Sequence, residues 1–144
     1  METVIYGQLK IVGEDGNIVE TKIKFPVNLA MMKKNIYQQY GKNCQIYFSD
    51  TNYDMGNVSI NETNRIANAI RMFTFKTGIK LEDKLFKRLL DIPQTFKYRH
   101  NEHERRVNAD KLVKALRNPE LHNDKYFIGI PAGKYVTKGV YIAM

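Results

Sequence analysis

Apolar and polar residues alternate through the first 25 positions and then recur at steps of three and four, so the chain is expected to open on strands and continue in helices. Val4–Val12 and Ile18–Phe25 flank Glu14-Asp15-Gly16-Asn17, and the Asp-Gly pair supplies the positive φ of a tight turn. This predicts a β-hairpin. In its second strand Val19, Thr21, Ile23 and Phe25 alternate with Ile18, Glu20, Lys22 and Lys24, which predicts one face on the core and the other mostly in water. Pro26 ends the strand.

Asn28 is placed to cap a helix from Leu29 to about Tyr40, in which Leu29, Met32, Ile36 and Tyr40 mark the inner side and Gly41 the stop. Gln45–Phe48 predicts a short third strand. Ser49–Asn57, rich in Asp, Asn, Ser and Gly, reads as a loop, and 49–58 is the natural seam if the single domain expected over 1–144 has two parts. Ser59-Ile60-Asn61-Glu62 has capping-box spacing and predicts a helix through Ile66, Ala69, Ile70 and Phe73 to Lys76 or Thr77, closed by Gly78. Leu81, Leu85, Leu89 and Ile92 trace a second stripe ended by Pro93. Asn108 is the expected cap of a further helix, with Leu112, Ala115 and Leu116 inward. Tyr126–Ile130 and Val140–Ala143 predict a C-terminal hairpin. The fold class is therefore α+β: an N-terminal β-hairpin with a helix and short strand, then a three-helix segment ending in a C-terminal β-hairpin.

Composition narrows the class. At 144 residues the chain is long enough to bury a core unaided, and no apolar run approaches the roughly 20 residues that a membrane helix needs. Met1-Glu2-Thr3-Val4 lacks the basic and apolar regions of a secretory signal, and Cys44 has no second cysteine to pair with. The expectation is a cytoplasmic protein with no membrane partner. Cys44, in an apolar strand context, reads as a small buried residue.

Charge is the more informative property. Residues 1–60 hold six basic and six acidic residues, whereas 61–144 hold 17 basic and 9 acidic, so the entire net charge of +8 lies in the second part. Such asymmetry points to nucleic acid or another polyanion. Lys111, Lys114 and Arg117 are spaced three apart on the last helix, off the Leu112/Leu116 stripe. Lys97, Arg99, Arg105 and Arg106 lead into that helix and suit phosphate, and Tyr98, Tyr126 and Tyr135 are near enough in sequence to stack or hydrogen-bond.

Three helices followed by a hairpin from Lys125 to Met144, with the return run Lys138-Gly139-Val140-Tyr141-Ile142, resemble a winged helix over residues 61–144. The resemblance implies that the last helix before the hairpin enters the major groove and that the wing contacts phosphates. It would put Lys111, Lys114 and Arg117 on the groove helix, and Lys134 and Lys138 on the wing. Residues 94–107 depart from the pattern, being too long for the tight turn between the second and third helices.

His100, His103 and His122, with Glu102 and Glu104, raise a metal site or a metal-independent nuclease as alternatives. Their spacing matches no metalloprotease or finger signature, and a polar basic loop explains them without either. There is no Gly-rich phosphate loop, nucleophile elbow or Cys-x-x-Cys, so neither a cofactor nor an enzymatic activity is expected. The sequence therefore predicts a non-enzymatic nucleic-acid-binding protein. Duplex DNA is slightly favoured over RNA, because a helix with three basic residues suits the major groove. The alternative is a small viral or mobile-element accessory protein, anti-CRISPR-like, that turns the same surface on an acidic groove of a host or defence protein and inhibits it. A small nuclease is a distant third.

Overall fold

An isolated hairpin cannot bury its apolar face alone, and here the chain supplies it with both a third strand and a helix. The computed structural model describes residues 1–56, 58–92, 109–131 and 137–143. Within it β1 (Ile5–Val12) pairs antiparallel with β2 (Ile18–Phe25) on one edge and with β3 (Gln45–Thr51) on the other. As the centre strand, β1 shows the cleanest alternation, with Ile5, Leu9 and Ile11 buried. Gly7 on the same face has no room for a side chain, since a Cβ there would lie 2.5 Å from Phe48 and 2.8 Å from Phe25. Those two rings meet edge to face at 5.9 Å.

The expected burial of β2 is only partly met. Of Val19, Thr21, Ile23 and Phe25, Phe25 alone is buried. The reason is position: β2 is the sheet's edge, and α1 (Leu29–Tyr40) lies over the centre strand instead, packing Ile36 with Leu9, Ile11 and the buried Cys44. Asn28 caps α1 as expected, its Oδ1 accepting the Met31 N–H at 3.1 Å.

β3 continues past Phe48 to Thr51, which shortens the expected loop. Asn52 then extends the ladder with its side chain, accepting the Tyr6 N–H at 2.8 Å and donating to the Val4 carbonyl at 2.8 Å. Tyr53 and Met55 are buried in the same core as the later helices.

α2 (Ile60–Thr77) starts at Ser59, whose Oγ accepts the Glu62 N–H at 3.1 Å, while the Glu62 carboxylate meets the Ser59 hydroxyl at 3.1 Å. Gly78, at φ 71°, ends it in the left-handed conformation. Ile66, Ala67, Ala69, Ile70 and Phe73 enter the core. The Asn64 amide clamps the Val27 N–H and carbonyl at 2.9 and 3.0 Å, tying α2 to the end of the first hairpin. Ser59→Ala is expected to lower stability by about 1 kcal/mol, read as a lower urea midpoint at constant slope.

α3 (Asp83–Asp91) begins after Leu81, so that residue lies outside the helix; Leu81 and Leu89 are nonetheless fully buried, Leu85 and Ile92 pack against the same core half-buried, and Phe86 and Leu90 join them. The N-terminus is the cause. The Leu81 carbonyl accepts both the N–H and the hydroxyl of Thr3 at 2.9 Å, and Glu82 bridges to Glu2, which holds this backbone extended.

α4 (Ala109–Arg117) buries Ala109, Leu112, Val113, Ala115 and Leu116. The expected C-terminal hairpin is present as β5 (Lys125–Pro131) and β6 (Thr137–Ala143), with β4 (Glu120–His122) added to make a second three-stranded antiparallel sheet. Asn123 and Asp124, at φ 47° and 65°, form the two-residue turn between β4 and β5, and two positive φ values suit a primed hairpin turn. Ile128, Ile130, Val140 and Ile142 form the inner face, against α3 and α4. The described residues thus make an α+β fold of two small antiparallel sheets and four helices.

Candidate nucleic-acid interface

The outward residues of α2 and α4 form a basic surface that the two helices build together. Arg65, near the start of α2, makes a 2.7 Å ion pair with Asp110 at the start of α4. Lys76, near the end of α2, donates at 2.7 Å to the Arg117 carbonyl at the end of α4. The two helices therefore run parallel, side by side. Arg65, Lys76, Lys114 and Arg117 are all exposed along them, with Asp110 as the facing acid. Being solvated, the Arg65–Asp110 pair adds little stability and chiefly cancels charge. That leaves Lys76, Lys114 and Arg117 as the net positive part of the ridge. At its end a cleft of about 300 Å³ holds Lys76 and Arg117 together with Glu120 and Tyr126.

The residues singled out from the sequence fare differently. Lys114 and Arg117 come together on the outer side of α4, but Lys111 is half-buried and engaged with a neighbour. Steps of three drift by about 60° each on a helix of 3.6 residues per turn, so the first of the three cations is turned toward the packed side. Lys138 is exposed on β6, opposite Ile130. Tyr126 is half-buried in the cleft beside two cations. Lys97, Tyr98, Arg99, Arg105, Arg106, Lys134 and Tyr135 lie outside the described residues, as do His100 and His103. His122 is 3.1 Å from a Glu120 carboxylate oxygen, and among the described residues no group of three His, Cys, Asp or Glu side chains is placed to hold a metal ion.

Sequence reasoning missed two groups. Arg65 and Lys76 are plainly outward on α2, but only the parallel packing of α4 adds them to Lys114 and Arg117. Phe127, Tyr141 and His122 also share one face of the second sheet, which the alternation in 125–131 and 137–143 implies once the register is known.

The displaced acidities lie elsewhere. The Tyr53 hydroxyl donates to Asp83, and burial first and this bond second push Tyr53 up to about 12. The same bond, followed by Lys87 at 3.2 Å, holds the Asp83 carboxyl below its ordinary value. Neither group changes charge near neutral pH, as a general acid or base would have to. The pair ties the segment after β3 to α3.

An α+β protein with a basic two-helix ridge and a separate aromatic sheet face is what the fold and geometry define. No family model, curated protein or solved structure matches the chain. Among the described residues no helix is long and apolar enough to cross a membrane.

Proposed function

We propose that this is a non-enzymatic nucleic-acid-binding protein, held to the phosphate backbone by the basic surface of its second part. The observation that supports the reading best is the α2/α4 ridge. Two parallel helices align Lys76, Lys114 and Arg117 beside an ion pair that is already neutral. A scattered excess of lysine only keeps a protein soluble, whereas aligned cations neutralise successive phosphates and release their counterions. Lys97, Arg99, Arg105, Arg106, Lys134 and Lys138 are further phosphate anchors in this reading. Lys114→Ala combined with Arg117→Ala is expected to weaken binding to any nucleic acid about tenfold and to reduce the slope of log affinity against log salt by about 2. Fluorescence polarisation at several salt concentrations measures both. An unchanged slope in the double variant would overturn the reading.

A second reading, an inhibitor that binds a host or defence protein, is favoured by one observation. Phe75 on α2 is 85% exposed, with Arg71 exposed on the same helix, and aromatic and arginine side chains are frequent anchors of protein interfaces. It prevails if nucleic acids fail to bind at low salt and a protein partner is lost on Phe75→Ala.

A further inference from the structure

Register decides which residues share the outer face of the second sheet. Glu120 and His122 of β4 stand opposite Phe127 and Lys125 of β5, and Phe127 and Gly129 stand opposite Tyr141 and Gly139 of β6. Directly opposed residues of an antiparallel ladder point to the same side. Ile128, Ile130, Val140 and Ile142 occupy the other side and are buried. The outer face therefore carries three rings in contact. Phe127 and Tyr141 lie 4.8 Å apart with a tilt of 36°, and His122 meets them edge-on at 6.0 and 6.4 Å.

Packing explains only part of this arrangement. The Phe127 ring closes over Gly139, where a Cβ would lie 2.5 Å from a ring carbon, and a ring covering a strand glycine is a known way to stabilise a sheet. Phe127 is accordingly half-buried. Tyr141 is 56% exposed and His122 is also exposed. Cohesion of the sheet does not require an outward tyrosine left more than half in water.

The surrounding charge indicates what would cover it. Lys125 shares the face, whereas Lys138, opposite Ile130, belongs to the other side; past the β4 edge Lys76 and Arg117 line the cleft that Glu120 also lines. The nearby acids are Glu120, which His122 engages at 3.1 Å, and Asp124 in the turn. Rings with Lys125 beside them, and with Lys76 and Arg117 past the β4 edge, suit a partner that offers flat π-faces and negative charge in alternation. We infer that this face is a stacking platform for the unpaired bases of a single-stranded nucleic acid. Tyr141 and Phe127 take the bases, and Lys125 with the cations beyond β4 takes the flanking phosphates. The inference rests on the nucleic-acid reading above and narrows its ligand. A duplex keeps its bases stacked inside, whereas every unpaired base offers a π-face whatever its sequence.

The test titrates the full chain, by polarisation at low salt, with short oligothymidine, oligouridine and a hairpin duplex. Single strands are expected to bind more tightly than the duplex. Tyr141→Ala is expected to weaken single strands about tenfold while leaving duplex binding within about twofold. Its thermal midpoint should stay that of the parent, because the lost side chain is exposed. Lys114→Ala with Arg117→Ala should weaken all three ligands. The chain contains no tryptophan, so Tyr141→Trp installs a single reporter whose emission single strands should quench and the duplex should not. The oligothymidine and oligouridine arms separate DNA from RNA, and preference for either supports the platform. If all three ligands bind and Tyr141→Ala alters none of them, or alters the duplex equally, the platform is wrong while the nucleic-acid reading stands. If none binds, both fall.

Discussion

Phe86→Ala is expected to lower the stability of the chain by about 3–5 kcal/mol, the usual cost of emptying a fully buried aromatic site. Against the roughly 5–15 kcal/mol that holds a domain together, that loss brings the variant close to its folding threshold. Phe86 is fully buried on α3 and meets Tyr53 edge-on, with ring centroids 4.9 Å apart and planes at 87°. Tyr53 belongs to the segment that leaves β3, so the pair joins the first sheet's chain to the helices of the second part. Their common core also takes in Ile5 and Phe25 from the first hairpin and Ile128 and Val140 from the last. The cavity should therefore weaken both parts together. Urea unfolding followed by far-ultraviolet circular dichroism and by tyrosine fluorescence should give coincident single transitions, shifted to lower denaturant at unchanged slope. Two separated transitions would instead place a seam at 49–58, and a loss under about 1 kcal/mol would show that the site refills.

What the sequence reveals of this fold divides by the range of the interaction that decides it. Asp15-Gly16, the Asn28 cap, the Ser59 box and the Gly78 stop act within one turn, and each reappears where its local chemistry places it. Leu81 reaches the core as its stripe predicts but not as part of the helix, because its carbonyl is claimed by Thr3 from the start of the chain, and no periodicity within 81–92 carries that information. β2 is a related case. Its alternation gives the facing of Val19, Thr21 and Ile23, but their depth depends on where α1 comes to rest. β4 did have a local signal, since Asn123-Asp124 is a composition that tolerates two successive positive φ values. It was obscured by the short strand before it, three residues with none buried. The candidate surface follows the same rule. Lys114 and Arg117 are legible from helical spacing alone, whereas joining them to Lys76 required the parallel contact of α2 with α4. Bringing Phe127, Tyr141 and His122 into one cluster required a register between three strands.

Tyr53→Phe is expected to cost on the order of 2 kcal/mol at neutral pH, and the cost should disappear as pH approaches 12. The ring stays packed on Phe86, so the variant loses only the hydroxyl that donates to Asp83. In the unfolded chain a tyrosine ionises near 10.0, and in the folded protein Tyr53 does so at about 12. Between those values the unfolded chain has released a proton that the folded chain still holds, so each rise in pH favours unfolding. The stabilisation is complete below pH 10, declines through that interval and is gone above it. Groups other than Tyr53 and Asp83 are common to both proteins and cancel in the difference between them. At the acid end the sign reverses: Asp83, held below its ordinary value by Tyr53 and then Lys87, contributes above the normal carboxylate range and loses that contribution as pH falls through its lowered folded value. The separation between parent and variant urea midpoints should thus be widest on a plateau between the carboxylate and phenol ranges and should narrow at both ends. A separation that stays constant from neutral pH to about 12 would mean that the Tyr53 hydroxyl is already solvated in the folded protein, and that Tyr53 is held to α3 by its ring contacts alone.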